Sequence, residues 1–90
     1  MSEANNAWRV QLDGHEYEVE LVHGTISGSR QITVNGVVVD EGRKFFDTGS
    51  RHAFDLGGHS ARVDIDVVHS GFAHESTLHV DERYVEPLAR

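Results

Sequence analysis

Ninety residues carry fifteen Asp and Glu against eight Lys and Arg, a formal net charge of −7, and no cysteine. Disulfides, thiolate metal sites and a cysteine nucleophile are therefore excluded, and a surface of this sign repels nucleic acid and anionic membrane, so neither is an expected partner. No apolar run approaches the roughly 20 residues that span a bilayer, and the leading MSEANNA lacks the basic and apolar regions of a signal peptide; the expectation is one cytoplasmic domain over residues 1–90, with 1–7 a flexible lead.

Alternation begins at Trp8. Trp8, Val10 and Leu12 share one face and Arg9 and Gln11 the other, the period of a strand with one buried side. Asp13-Gly14 predicts a type I′ hairpin turn, whose two central residues both need positive φ. Tyr17, Val19 and Leu21 then oppose Glu16, Glu18 and Glu20. After a small, hydroxyl-rich segment from Gly24 to Gly28, Ile32 and Val34 alternate with Gln31 and Thr33, and Asn35-Gly36 predicts a second hairpin turn. Val37 to Asp40 continues the pattern, followed by a weaker pair of segments around Arg43 to Thr48 and His52 to Leu56. Gly57-Gly58 turns into Ala61, Val63, Ile65 and Val67, opposed by Arg62, Asp64 and Asp66; Ser70-Gly71 turns into Phe72, Leu78 and Val80. Pro87 follows the last turn, where it removes no central ladder bond.

These are about eight short strands at spacings of roughly eight to twelve residues, with no sustained helical stripe, which reads as an all-β antiparallel sandwich or barrel. Trp8, Val10, Val19, Leu21, Ile32, Val34, Phe54, Leu56, Val63, Ile65, Phe72, Leu78 and Val80 are the expected core. There is also an internal echo. LDGHEYEVEL (Leu12 to Leu21) resembles LGGHSARVDI (Leu56 to Ile65) at a shift of 44, and Ile32 and Val34 recur as Leu78 and Val80 at a shift of 46. Two equivalent β-meanders facing each other would produce this; so would turn chemistry and alternation alone.

The segments WRVQL, HGTISGSRQITVNG, FDLGGHSARVDID and SGFAHESTLHVD resemble, in order and near spacing, the Fas apoptotic inhibitory molecule family. The resemblance implies a compact antiparallel β-sandwich. Animal members resemble two such domains in tandem, and this chain is similar to one. It further implies a non-enzymatic protein acting through protein contacts, with roles in restraining death-receptor signalling, supporting neurite outgrowth and protecting against aggregation. The chain departs from the family pattern at RKFF (Arg43 to Phe46), where a tryptophan-containing strand is expected, and at Val68-His69-Ser70, which is one residue longer. No set of catalytic residues carries over.

Candidate site residues concentrate at the glycine-bracketed segment: His23, Gly24, Thr25, Ser27, Gly28 and Arg30. Glycines and hydroxyls there suit anion contact through backbone N–H groups, but no P-loop lysine and no following helix accompany them. The plainer reading is a turn whose hydroxyls bond its own backbone. Arg30 and His23 fall on the inward face by parity, so they are expected at the rim of the core, with Arg30 paired to Glu75 or another carboxylate. His23, His69 and His74 would converge if the meanders face each other, yet no close-spaced ligand pair supports zinc, and no metal or cofactor is expected. Glu16, Glu18 and Glu20, and Asp64 with Asp66, read as solvated outer rows that also discourage edge pairing. No serine, histidine and acid stand in a recognisable nucleophile motif. The expected function is a non-enzymatic protein-interaction module, a monomer or at most a weak edge-to-edge homodimer, with strand addition as one mode of contact. The alternative is a small-ligand or carbohydrate-binding module.

Overall fold

A computed structural model describes residues 3–24, 29–43, 50–68 and 73–88, with side chains for 6–23, 29–42, 50–66 and 75–88. Among the described residues eight strands follow one another: β1 (Glu3–Leu12), β2 (His15–Gly24), β3 (Ser29–Val34), β4 (Val37–Arg43), β5 (Ser50–Leu56), β6 (His59–Val68), β7 (Ala73–Val80) and β8 (Arg83–Val85). They form two antiparallel sheets, ordered β1-β2-β3-β4 and β5-β6-β7-β8. Each is a simple meander, one of the two readings that the internal echo left open. Of the weaker pair of segments, the second is β5, which pairs with β6; residues 44–49 of the first lie outside the described residues.

Turn chemistry sets the registers. Asp13 and Gly14 (φ 52° and 80°), Asn35 and Gly36 (49° and 83°) and Gly57 and Gly58 (60° and 87°) are all left-handed, as two-residue hairpin loops of this type require. A fourth such turn, Asp81 and Glu82 (φ 50° and 67°), has no glycine. The first residues of the second and fourth turns do the same job. Asn35 accepts from the Glu18 N–H at 2.8 Å and donates its own N–H to the Glu18 carbonyl at 2.8 Å. Asp81 accepts from the Ser60 N–H at 3.3 Å and donates to the Ser60 carbonyl at 2.8 Å. Each thereby closes a ladder with the strand preceding its own hairpin.

The core lies between the sheets. Trp8, Val10, Val19, Leu21 and Ile32 from the first meander meet Leu56, Ala61, Val63, Ile65, Leu78 and Val80 from the second. Period-two alternation put these side chains on one face of each sheet, and facing sheets remove them from water, an effect worth about 1.5–3 kcal/mol for each fully buried large aliphatic. Val34 and Phe54, expected in the core, only pack against its margin, as do Leu12, Tyr17 and Val85. Phe72 lies outside the described residues.

β1 starts at Glu3, before alternation becomes visible. Residues 3–7 are thus part of a strand rather than a flexible lead: Glu3 to Ala7 pair with Gly24 to Glu20 of β2. Tertiary contacts hold this polar stretch. Asn6 Nδ2 donates to Ser76 Oγ at 3.1 Å, and the Leu88 N–H donates to the Ala7 carbonyl at 2.9 Å. The four tight turns among the described residues lie at one end of the sandwich. The strand ends flanking 25–28, 44–49 and 69–72 lie at the other.

Candidate functional site

The end opposite the tight turns carries the residues that the sequence singled out. His23 closes the inward series of β2 and is buried, and Arg30 faces it across the β2–β3 ladder. Thr25, Ser27 and Gly28, named as contact residues, lie outside the described residues, and only the backbone of Gly24 is described.

Arg30 is anchored by Asp40, not by Glu75. Its Nε donates to Asp40 Oδ2 at 2.8 Å, with Arg30 17% and Asp40 26% exposed. A bulge makes this possible. Ile32 is opposite Asp40 but Thr33 is opposite Val38, so Val39 is an extra residue in β4. The bulge inverts the parity of the strand beyond it, and Asp40 and Gly42 join Ile32 and Arg30 on the inward face. Gly42 then supplies the room. A Cβ there would sit 2.9 Å from both terminal nitrogens of Arg30, so the guanidinium lies against bare backbone.

The network crosses to the second sheet. His52 Nδ1 lies 3.5 Å from Asp40 Oδ2, and His52 Nε2 is 2.7 Å from Ser50 Oγ. Serine, histidine and aspartate thus stand in line, an arrangement motif reasoning missed because the residues come from two strands of different sheets. As a reactive centre it is poorly built. The histidine–aspartate separation exceeds hydrogen-bond reach, and the same carboxylate oxygen already accepts from Arg30. Each of its hydrogen bonds lies within one sheet, Arg30 to Asp40 in the first and Ser50 to His52 in the second, and the two sets come together where His52 approaches Asp40.

Beside it a shallow groove of about 630 Å³ is lined by Val22, Ser29, Arg30, Gln31, Glu41 and Gly42, residues of β2, β3 and β4. Down β4 from the groove, Val37, Val38 and Val39 are 66%, 44% and 39% exposed. Three valines adjacent in sequence are thus open to water on an edge strand, Val38 opposite Thr33 on the outer face and Val37 opposite Val34 on the other, and a run of β-branched residues after Asn35-Gly36 was the sequence signal for them.

The outer rows are open to water as expected at Glu16, Glu18, Glu20 and Asp66, with Asp64 the exception. Glu16 and Glu20 are exposed, and Arg9 reaches Glu18 at 3.5 Å and Glu16 at 3.9 Å. Asp64 is buried, a correction to the solvated reading. Arg62 Nε donates to it at 2.7 Å, and Arg51 and His79 approach to 3.7 and 3.8 Å. Parity placed Asp64 outward correctly, but long arginine stems cover it. Tyr84, exposed, meets the edge of the His79 ring with centroids 5.9 Å apart. Among the described residues no group of three or more histidine, aspartate or glutamate side chains converges to hold a metal. His69 and the side chain of His74 lie outside those residues.

Two facing four-stranded meanders, one end closed by tight turns and the other knit by an arginine–carboxylate–histidine network, define an all-β sandwich module. A family model described as "Fas apoptotic inhibitory molecule (FAIM1)" matches residues 4–88. The chain belongs to that family. It is 33% identical over 92 residues to Fas apoptotic inhibitory molecule 1 of Bos taurus, covering 96% of this chain and 45% of that protein. The Mus musculus protein of that name is 32% identical, covering 96% and 51% respectively. The Homo sapiens protein is 30% identical, covering 100% and 53%. The chain spans about half the length of the curated relatives it matches.

Proposed function

We propose that this chain is a non-enzymatic module that binds a protein partner along the β4 edge of its first sheet. The observation that carries the reading is the exposure of Val37, Val38 and Val39, which with Val22 are the exposed large aliphatics among the described residues. Exposed apolar side chains along an edge strand suit a contact surface, and the edge also offers unpaired backbone groups. The bulge at Val39 kinks the strand, so a long regular ladder with an added strand is not the expected mode. Side-chain contact with the valines is. Glu41, exposed on the outer face just beyond the valines, is the acidic group left for a partner, so the complementary segment is extended, apolar, and basic at one end. The relatives carry apoptosis inhibition in their name; in this reading the domain supplies one contact surface for such a role. At a formal net charge of −7 self-association is opposed, and the chain acts as a monomer.

The test uses purified components. A partner captured from host lysate by the intact chain is expressed alone, and its affinity is measured for wild type, for Val38→Lys and for a variant with Gly24 to Arg30 replaced. The reading expects at least tenfold weaker binding to Val38→Lys. Equal affinity for Val38→Lys with loss in the loop variant would move the surface to the glycine-bracketed segment. Tyr84 is the observation favouring the small-ligand alternative, being 56% exposed; saccharide-dependent NMR shifts centred on Tyr84 would establish it in place of a protein partner.

A further inference from the structure

We propose that His59 is a pH-dependent clasp joining the two sheets at the tight-turn end, closed while its ring carries a proton and open once that proton is lost. His59 opens β6, directly after Gly57-Gly58. Its Nδ1 lies 2.6 Å from Asp81 Oδ2 in the β7–β8 turn, and its Nε2 lies 2.8 Å from Asp13 Oδ2 in the β1–β2 turn. Asp13 belongs to the first sheet; His59 and Asp81 belong to the second. One ring therefore ties a turn of each meander together.

The chemistry requires the charged ring. A neutral imidazole has one N–H and one lone pair, so one of two flanking carboxylates would face a lone pair. Only imidazolium donates from both nitrogens, and each donation is then charge-assisted. The nitrogens point in different directions, so the carboxylates do not converge on a point where a metal would replace the proton.

The groups facing the ring agree with this. Asp13 comes from the β1–β2 turn and Asp81 from the β7–β8 turn. Arg83 sits close enough to Asp81 to favour its ionised form. On the ring's own hairpin, Asp55 is occupied in accepting from the Gly58 N–H at 3.2 Å. Glu82, beside Asp81, reaches Arg62 at 3.8 Å, and His15 begins β2 just past Asp13 and Gly14. Tyr17, the uncharged neighbour, holds its hydroxyl over Gly57. The hydrogen bond to Asp13, then that to Asp81, raises the His59 pKa above 6.5 against the opposing effect of burial. The hydrogen bond from His59 is likewise the main cause that holds the Asp81 carboxyl below its ordinary value.

The signs give a window. A raised histidine pKa contributes stability that is fully present below the unfolded value of about 6.5 and lost as pH rises through the folded value. A lowered aspartate pKa contributes stability present above its unfolded value and lost as pH falls through the folded one. The clasp is closed from below the ordinary aspartate range up to the raised pKa of the ring, and it opens on the alkaline side by deprotonation of the ring.

Ring ¹⁵N NMR titration of the full chain tests this, in wild type, Asp13→Asn, Asp81→Asn and the double variant. The expected result is a wild-type His59 midpoint above 6.5, with both nitrogens protonated below it, lowered by each substitution and returned to about 6.5 in the double variant. Amide exchange at 13–14 and 81–82, corrected for intrinsic pH dependence, should quicken above that midpoint in wild type and not in His59→Gln. A wild-type midpoint at or below 6.5, or one unmoved in the double variant, would overturn the proposal.

Discussion

Arg30 and Asp40 lie on adjacent strands with the Arg30 Nε 2.8 Å from Asp40 Oδ2, and they meet only because a bulge at Val39 turns Asp40 to the inward face. The pair is partly buried and sits where the two sheets approach at β4 and β5. It thus joins local backbone geometry to the packing of the whole sandwich. Without the bulge, the carboxylate would face water and the guanidinium would be left at the rim of an apolar core.

Removing the cation should therefore be costly. Among the described residues Arg30→Leu leaves Asp40 with a histidine 3.5 Å away, and loss of a hydrogen bond to a charged group in this setting costs about 1.5–3 kcal/mol. Gly42→Ala should produce a smaller loss by a different route. It leaves both charges in place but drives a methyl into the guanidinium seat, and the tip of a long side chain moves aside for about 1 kcal/mol. Urea unfolding reads both. A variant Arg30→Leu as stable as wild type would show that the network is ornamental to the fold.

The two glycines of the β5–β6 turn should differ. Both are left-handed, with φ 60° at Gly57 and 87° at Gly58, and a Cβ in that region costs about 1–2 kcal/mol. Only Gly57 faces an obstacle: its Cβ would meet the Tyr17 hydroxyl and ring, whereas nothing lies within 4 Å at Gly58. Overpacking adds about 1–3 kcal/mol. Thermal unfolding of Gly57→Ala and Gly58→Ala should rank the first as clearly less stable, and Tyr17→Ala should shrink the difference between them. Equal losses at the two positions would contradict the proximity of Tyr17.

The serine, histidine and aspartate at 50, 52 and 40 allow a direct check on the non-enzymatic reading. Arg30 claims the carboxylate oxygen that would orient His52, and the His52–Asp40 separation is 3.5 Å. Ser50 should thus have the reactivity of an ordinary hydroxyl. A fluorophosphonate probe incubated with the chain should leave Ser50 unmodified by mass spectrometry. Rapid labelling of Ser50, abolished in His52→Ala, would make the line of residues a nucleophilic centre and the protein a hydrolase candidate.

Much of this fold was readable because its devices are local. Asp13-Gly14, Asn35-Gly36 and Gly57-Gly58 announce left-handed turns by residue type, and alternation between them assigns faces correctly from Trp8 to Val34. What parity could not see was the bulge. Counting by twos from Val37 sends Asp40 outward, so the partner of Arg30 stayed hidden. Asp64 failed for another reason: parity gave its face, but burial came from Arg51 and Arg62, which no local pattern reports. The His59 contacts depend on how one meander lies over the other, a relationship spanning 46 residues to Asp13. The strand Arg83–Val85 was missed because Asp81 and Glu82 lack the glycine that marks such turns. The internal echo held the missing signal, since Asp81 stands 46 residues beyond Asn35 and plays the same ladder-closing part.

That glycine-free turn yields the last prediction. Glu82 holds φ 67° and is exposed. A non-glycine residue there carries a penalty of about 1–2 kcal/mol, whereas glycine loses more backbone freedom on folding, by about 0.5–1 kcal/mol. The first effect is the larger, so Glu82→Gly should stabilise the chain by about 0.5–1 kcal/mol. Its ion pair with Arg62, at 3.8 Å and open to solvent, contributes too little to reverse the sign. Asp81→Gly should behave oppositely despite a similar φ of 50°, because Asp81 also bonds the Ser60 N–H and the His59 ring. Denaturant midpoints for the two variants should fall on opposite sides of wild type. If both rise, strain governs the turn and the carboxylate contacts of Asp81 add little; if both fall, the turn is held by its side chains rather than by its backbone preference.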